Sequence, residues 1–207
     1  LHSTSRRQRQ MCIRDSSYYG AADAERVIIA MGSVTEAIRE TIDHLTAQGE
    51  KVGLVAVHLY RPFSAKHFLA AVPATAKTIA VLDRTKEPGA NGEPLYLDVK
   101  ECFYGKENAP VIVGGRYGLG SNDTTPAQIL AVYENLALPE PKNQFTLGIV
   151  DDVTFTSLPQ KEEVAMGGEG MFEAKFYGLG ADGTVGANKN SVKIIGCLLY
   201  TSPSPRD

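Results

Sequence analysis

The chain has 207 residues, 43% hydrophobic and 22% charged, with a formal net charge of -3. These are globular proportions, and the slight acidity gives no electrostatic case for a nucleic-acid partner. No run of roughly 18 apolar residues reads as a membrane span. The three cysteines, Cys12, Cys102 and Cys197, have neither the number nor the spacing of a disulfide framework or a thiolate metal site, and they fit a reducing cytoplasm.

Residues 1–16, LHSTSRRQRQMCIRDS, are Arg-rich without strand or helix period and lack the apolar stretch of a secretory signal. They are expected to be a non-native or disordered leader, and 197–207, with its Ser/Pro ending, a matching tail. From residue 26 the pattern becomes rhythmic. RVIIAMG (26–32) is a β-branched run that predicts a buried strand. Ser33 and Glu36 form a capping box ahead of a helix whose inner face carries Val34, Ala37, Ile38, Ile42 and Leu45, and Gly49 ends it. KVGLVAVHLY (51–60) predicts a second strand, broken at Pro62, and Ser64 caps a short helix reaching about Val72.

KTIAVLDR (77–84) is the third predicted strand. Pro88-Gly89 and Asn91-Gly92 mark a loop before the helical EPLYLDVKECFY (93–104). APVIVGG (109–115) is the fourth strand and RYGLGSND its glycine-rich exit. Thr125 followed by Pro126 reads as an N-cap with proline in the first helical position, opening AQILAVYENLAL. FTLGIVDD (145–152) predicts a last strand, 153–170 a polar linker, and MFEAKFYGLG (171–180) a strand that opens a second unit. Strands alternating with helices predict an α/β fold: a mostly parallel sheet with helices on both faces, followed by a truncated second α/β unit.

Ligands of such sheets gather beyond the C-terminal strand ends. Those ends carry Gly32-Ser33, His58 to Arg61, Asp83-Arg84 and Gly114 to Gly120. GGRYGLGSND admits a ligand approach with Arg116 as anion clamp, or a packing turn. His58 is a proton carrier or a structural hydrogen-bonder; Asp83-Arg84 reads as a local ion pair and Cys102 as core packing. In the second unit Gly178, Gly180 and Gly183 spell G-x-G-x-x-G, with Asp182 or Thr184 able to cap a following helix and Lys189 adding a cation. This spacing admits a dinucleotide fingerprint, a phosphate cradle for another ligand, or a turn that binds nothing. The acidic ribose partner of the dinucleotide reading would fall in the tail. No G-x-S-x-G, H-E-x-x-H or Walker motif is present, and no catalytic residue is assigned.

Taken in order, VHLYRPF (57–63), VLDRTKEPGANGEPLYLDV (81–99), GGRYGLGSND (114–123), LGIVDDVTFTSLP (147–159) and FYGLGADGTVGANKNSVKIIG (176–196) resemble pyruvate:ferredoxin (flavodoxin) oxidoreductase. The resemblance runs from about Ser17 to Gly196, an internal piece of that multidomain enzyme. It implies a transketolase C-terminal-like domain over 17–152, packed beside thiamine-binding domains, and the start of a gamma-type domain over 171–196. It also implies coenzyme A contacts at Ala181, Asp182, Gly183, Thr184 and Val185, with Lys189 nearby, and interdomain contacts at Arg61, Arg116 and 114–120. For the whole enzyme it implies oxidative decarboxylation of pyruvate to acetyl-CoA and CO2, with thiamine diphosphate, [4Fe-4S] clusters, ferredoxin or flavodoxin as acceptor, and a cytoplasmic homodimer. The thiamine domains and the C-x2-C-x2-C-x3-C-P cluster motif are not in this sequence, so the chain alone is expected to be inactive. The rival readings are a non-catalytic assembly domain and an NAD-dependent Rossmann enzyme.

Overall fold

The computed structural model describes residues 15–151, 153–159 and 176–199. The chain divides into two units, Leu1–Met166 and Gly167–Asp207.

The first unit is a six-stranded sheet. Its elements are β1 (Ser16–Gly20), β2 (Arg26–Ala30), α1 (Val34–Ala47), β3 (Val52–Val57), α2 (Ala65–Ala71), β4 (Thr78–Asp83), α3 (Pro94–Phe103), β5 (Val111–Arg116), α4 (Pro126–Ala137) and β6 (Phe145–Thr146). The spatial order is β1-β3-β2-β4-β5-β6. All neighbours are parallel except β1, which runs antiparallel along β3 with Ser16 opposite Val57 and Gly20 opposite Gly53.

Side chains alternate across the strands, so each buried strand feeds two cores. Ile28, Leu54, Ala80, Leu82 and Val113 face one side and meet Ile38 and Ile42 of α1 and Ile129, Val132 and Tyr133 of α4. Val27, Ile29, Val55, Ile79 and Val81 face the other side and meet Phe68 of α2 and Leu95, Tyr96 and Val99 of α3. Helices therefore cover both faces, as the alternation predicts.

The structure refines several local expectations. Ser16 lies in β1 and the Asp15 carbonyl accepts the His58 and Leu59 amides, so residues 15 and 16 belong to the folded sheet; residues 1–14 lie outside the described residues. The capping box does not form: Ser33 takes helical dihedrals with no side-chain cap bond, and the Thr35 hydroxyl donates back to the Gly32 carbonyl at 2.7 Å. Ser64 and Thr125 do hold the expected N-cap positions, in extended conformations but without a side-chain cap bond, and Pro126 opens α4 as expected, as Pro94 opens α3.

The predicted strand 145–152 shortens to Phe145–Thr146, because Gly148 turns the chain at φ +72°. Beyond it the first part of the expected linker folds back. Asp151 accepts the amides of Val153, Thr154 and Thr156, Ser157 bridges Thr146, and Leu158 is buried in the first core. Residues 160–170 lie outside the described residues.

In the second unit, 176–179 form no strand and 171–175 lie outside the described residues. A helix, α5 (Thr184–Leu199), follows. It continues three residues into the expected tail, and 200–207 lie outside the described residues.

Candidate functional site

The glycine loop at the head of α5 has a geometry that only these residue types permit. Gly180 and Gly183 hold φ of +93° and +80°, left-handed values that cost an L side chain energy. A Cβ at Gly178 would lie 2.8 Å from the Thr184 side chain. Asp182 closes the turn: its carboxylate accepts the Leu179 amide at 2.8 Å and the Thr184 amide at 3.0 Å. These bonds, the Thr184 contact foremost, hold the Asp182 carboxyl down at about 2. The Gly183 carbonyl receives the Gly186 and Ala187 amides at 3.0 and 3.1 Å and so starts the helix. Among the described residues, the amides of Ala181, Gly183 and Val185 have no such acceptor.

A concavity of about 460 Å³ sits on this turn. Ala181, Asp182, Gly183, Thr184 and Val185 all line it, together with Phe176 and Asn188. Lys189 is exposed and is not among the lining residues. Asn188 was not singled out in the sequence; its place one turn into α5, on the side of Thr184, was the available signal. Free main-chain donors at the positive end of a helix suit an anionic group.

At the C-terminal edge of the sheet, the polar residues serve the first unit itself. His58 meets the Ser17 hydroxyl at 2.7 Å, tying β3 to β1. Arg61 pairs with Asp98 at 2.8 Å and lies 3.9 Å over the Tyr60 ring. Arg116, a candidate anion clamp, is spent on Glu93 at 2.5 Å, with 15% and 1% of the two side chains exposed. Asp83 does not pair with Arg84. It accepts the Leu95 and Tyr96 amides at the start of α3 (3.3 and 3.1 Å), and Arg84 lies beside Gly118.

Gly114 and Gly115 are packing glycines. The Tyr96 ring lies 3.1 Å from where a Cβ would sit on the first, and the Phe145 ring overlaps that position on the second. Cys102 is half-buried against the second core, which pushes its thiol up. His58, Arg61 and Arg116 thus have separate destinations and do not converge on one ligand.

The first unit defines a class: an α/β domain with a mostly parallel sheet, its polar strand ends closed by internal pairs. The family model for the pyruvate:ferredoxin oxidoreductase core domain II matches residues 24–129, and the chain belongs to that family. It is 61% identical over 181 residues to a pyruvate-flavodoxin oxidoreductase of Klebsiella pneumoniae, covering 87% of this chain and 16% of that protein. It is 59% identical over 179 residues to the pyruvate:ferredoxin oxidoreductase of Moorella thermoacetica, covering 86% of this chain and 15% of that protein. The chain therefore spans about a sixth of the length of these curated relatives.

A solved 2-oxoglutarate:ferredoxin oxidoreductase of Magnetococcus marinus, with 2-oxoglutarate, coenzyme A and succinyl-CoA bound, aligns at 19% identity and TM-score 0.42. That alignment covers 63% of this chain and 23% of the other. Among the described residues, no helix is long and apolar enough to cross a membrane.

Proposed function

We propose that this protein is the part of a pyruvate-oxidising, coenzyme A-dependent oxidoreductase that supplies an assembly domain and one wall of the coenzyme A site. The whole enzyme converts pyruvate and coenzyme A to acetyl-CoA and CO2 and passes two electrons to ferredoxin or flavodoxin. It is a cytoplasmic homodimer with thiamine diphosphate and [4Fe-4S] clusters. Three widely spaced cysteines cannot supply four thiolates, so the clusters are held by other parts of the enzyme, as is thiamine diphosphate, which stabilises the carbanion formed when CO2 leaves.

One observation carries the loop assignment. Two left-handed glycines and the Asp182 cap leave the amides of 181, 183 and 185 unbonded at the head of a 16-residue helix. Main-chain donors there receive phosphate with no side-chain charge required. The internally paired strand ends support the assembly role of 17–152.

The test is an amide NMR titration of the full chain with coenzyme A and, separately, with NAD. Coenzyme A is expected to shift the 181, 183 and 185 amides, and NAD to leave them in place; the reverse pattern refutes the loop assignment. In a full-length relative, replacing the glycine equivalent to Gly183 by valine is expected to raise KM for coenzyme A with KM for pyruvate unchanged. An unchanged KM for coenzyme A refutes it equally.

A further inference from the structure

We propose that Asp83 and Glu93 form a proton-operated latch at the junction between β4 and α3. Asp83, the last residue of β4, is 5% exposed, and Glu93, which precedes α3, is 1% exposed. The Asp83 carboxylate accepts the Leu95 and Tyr96 amides, doing the capping that the Glu93 side chain does not. Glu93 turns instead to Arg116, which satisfies Oε1 and leaves Oε2 buried without a partner. Two buried carboxylates thus press on one another with a guanidinium bonded to only one of them, Glu93, an arrangement that favours taking up a proton.

The surrounding groups offer no relief. Glu93 and Asp98 on the α3 side press on Asp83 with like charge. The Tyr60 hydroxyl, from the segment after β3, donates to Asp98, and the Tyr117 hydroxyl, after β5, donates to the Met31 carbonyl. Arg61 is held by Asp98 and Arg116 by Glu93. The neighbouring Arg84 makes no bond to Asp83 among the described residues. Burial first, then these carboxylates, lifts the Asp83 carboxyl to about 6, against the pull of its two amide bonds.

The folded value lies above the unfolded one, so the folded state binds the extra proton. The stabilisation is complete below about pH 4 and is lost as the pH rises through about 6. Protonation of Asp83 removes its like-charge repulsion with Glu93 and Asp98 and the cost of burying its charge, which outweigh the weakening of its two amide bonds. The first turn of α3 and the loop 84–92 tighten on acidification and loosen near neutrality.

The experiment uses the full chain, following the Asp83 carboxyl carbon by NMR and hydrogen exchange of the Leu95 and Tyr96 amides from pH 4.5 to 7.5, corrected for intrinsic base catalysis. The Asp83 midpoint is expected near 6. Protection at 95 and 96 is expected to fall across it by up to about a hundredfold, the ceiling set by a two-unit gap, while α4 amides stay level. Asp83→Asn is expected to flatten the profile, and Glu93→Gln to keep it with a lower midpoint. Titration of Asp83 below pH 4.5, a profile shared with α4, or one that persists in Asp83→Asn overturns the latch. If Asp83→Asn does not fold, the wild-type carboxyl titration and Glu93→Gln still decide.

Discussion

Replacing Gly115 by alanine tests whether the glycine pair near the end of β5 exists for packing or for a ligand. The new methyl would overlap the Phe145 ring and sit 2.9 Å from Leu82 Cδ2, tighter than real Cβ atoms tolerate. Phe145 is fully buried and Leu82 is 1% exposed, so neither has solvent to retreat into. Overpacking of this kind costs about 1–3 kcal/mol, partly offset by about 0.4–1 kcal/mol from a stiffer unfolded chain.

Phe145→Leu alone opens a void and costs less than the roughly 3–5 kcal/mol of a Phe→Ala change. Together, the added methyl occupies part of the space the ring gives up. The double variant is therefore expected to be more stable than the sum of the singles by about 1 kcal/mol. Urea unfolding followed by far-ultraviolet circular dichroism measures all four proteins. Additivity within about 0.3 kcal/mol refutes the packing reasoning, because it means the methyl and the ring do not compete for one space.

Arg116→Met leaves Glu93 buried with neither oxygen paired and is expected to cost about 3–5 kcal/mol in the same assay; a loss under 1 kcal/mol shows that the pair carries little. Tyr133→Phe removes the hydroxyl that donates to the Gly53 carbonyl at 3.0 Å in the core and is expected to lower stability by about 1 kcal/mol. Asp182→Ala takes the acceptor from the Leu179 and Thr184 amides. It is expected to lower helical content at the start of α5 and weaken coenzyme A binding, with Asp182→Asn intermediate; calorimetric titration that ranks the three proteins equally refutes a role for the cap. The isolated chain is expected to reduce no viologen with pyruvate, coenzyme A and thiamine diphosphate, and a pyruvate-dependent signal above the buffer control overturns that expectation.

The alternation of β-branched runs with helical periods was enough to place β2 to β5 and all the helices between them. Those strands are buried on both faces, and a continuous apolar run has no other stable use here. β1 escaped notice because Ser16–Gly20 carries no period of its own; it is a strand only because β3 offers an open edge. The capping box and the Asp83-Arg84 pair failed for a related reason. Spacing along the chain names possible partners, whereas the folded chain brings better ones: Gly32 for Thr35, the α3 amides for Asp83 and Glu93 for Arg116.

The G-x-G-x-x-G loop stands at the boundary between the two kinds of knowledge. Its left-handed turns at Gly180 and Gly183 are written into the residue types, since only glycine takes those dihedrals cheaply. By itself, then, the sequence determined the layered α/β class, the glycine turn and the family, because local propensity and periodicity act between neighbours in the chain. Which charges meet, which glycines lie under aromatic rings, and how Asp83 comes to share a buried patch with Glu93 were decided only by the tertiary structure. Those outcomes depend on burial and on groups far apart in sequence, whose energies exist only once the sheet has closed around them.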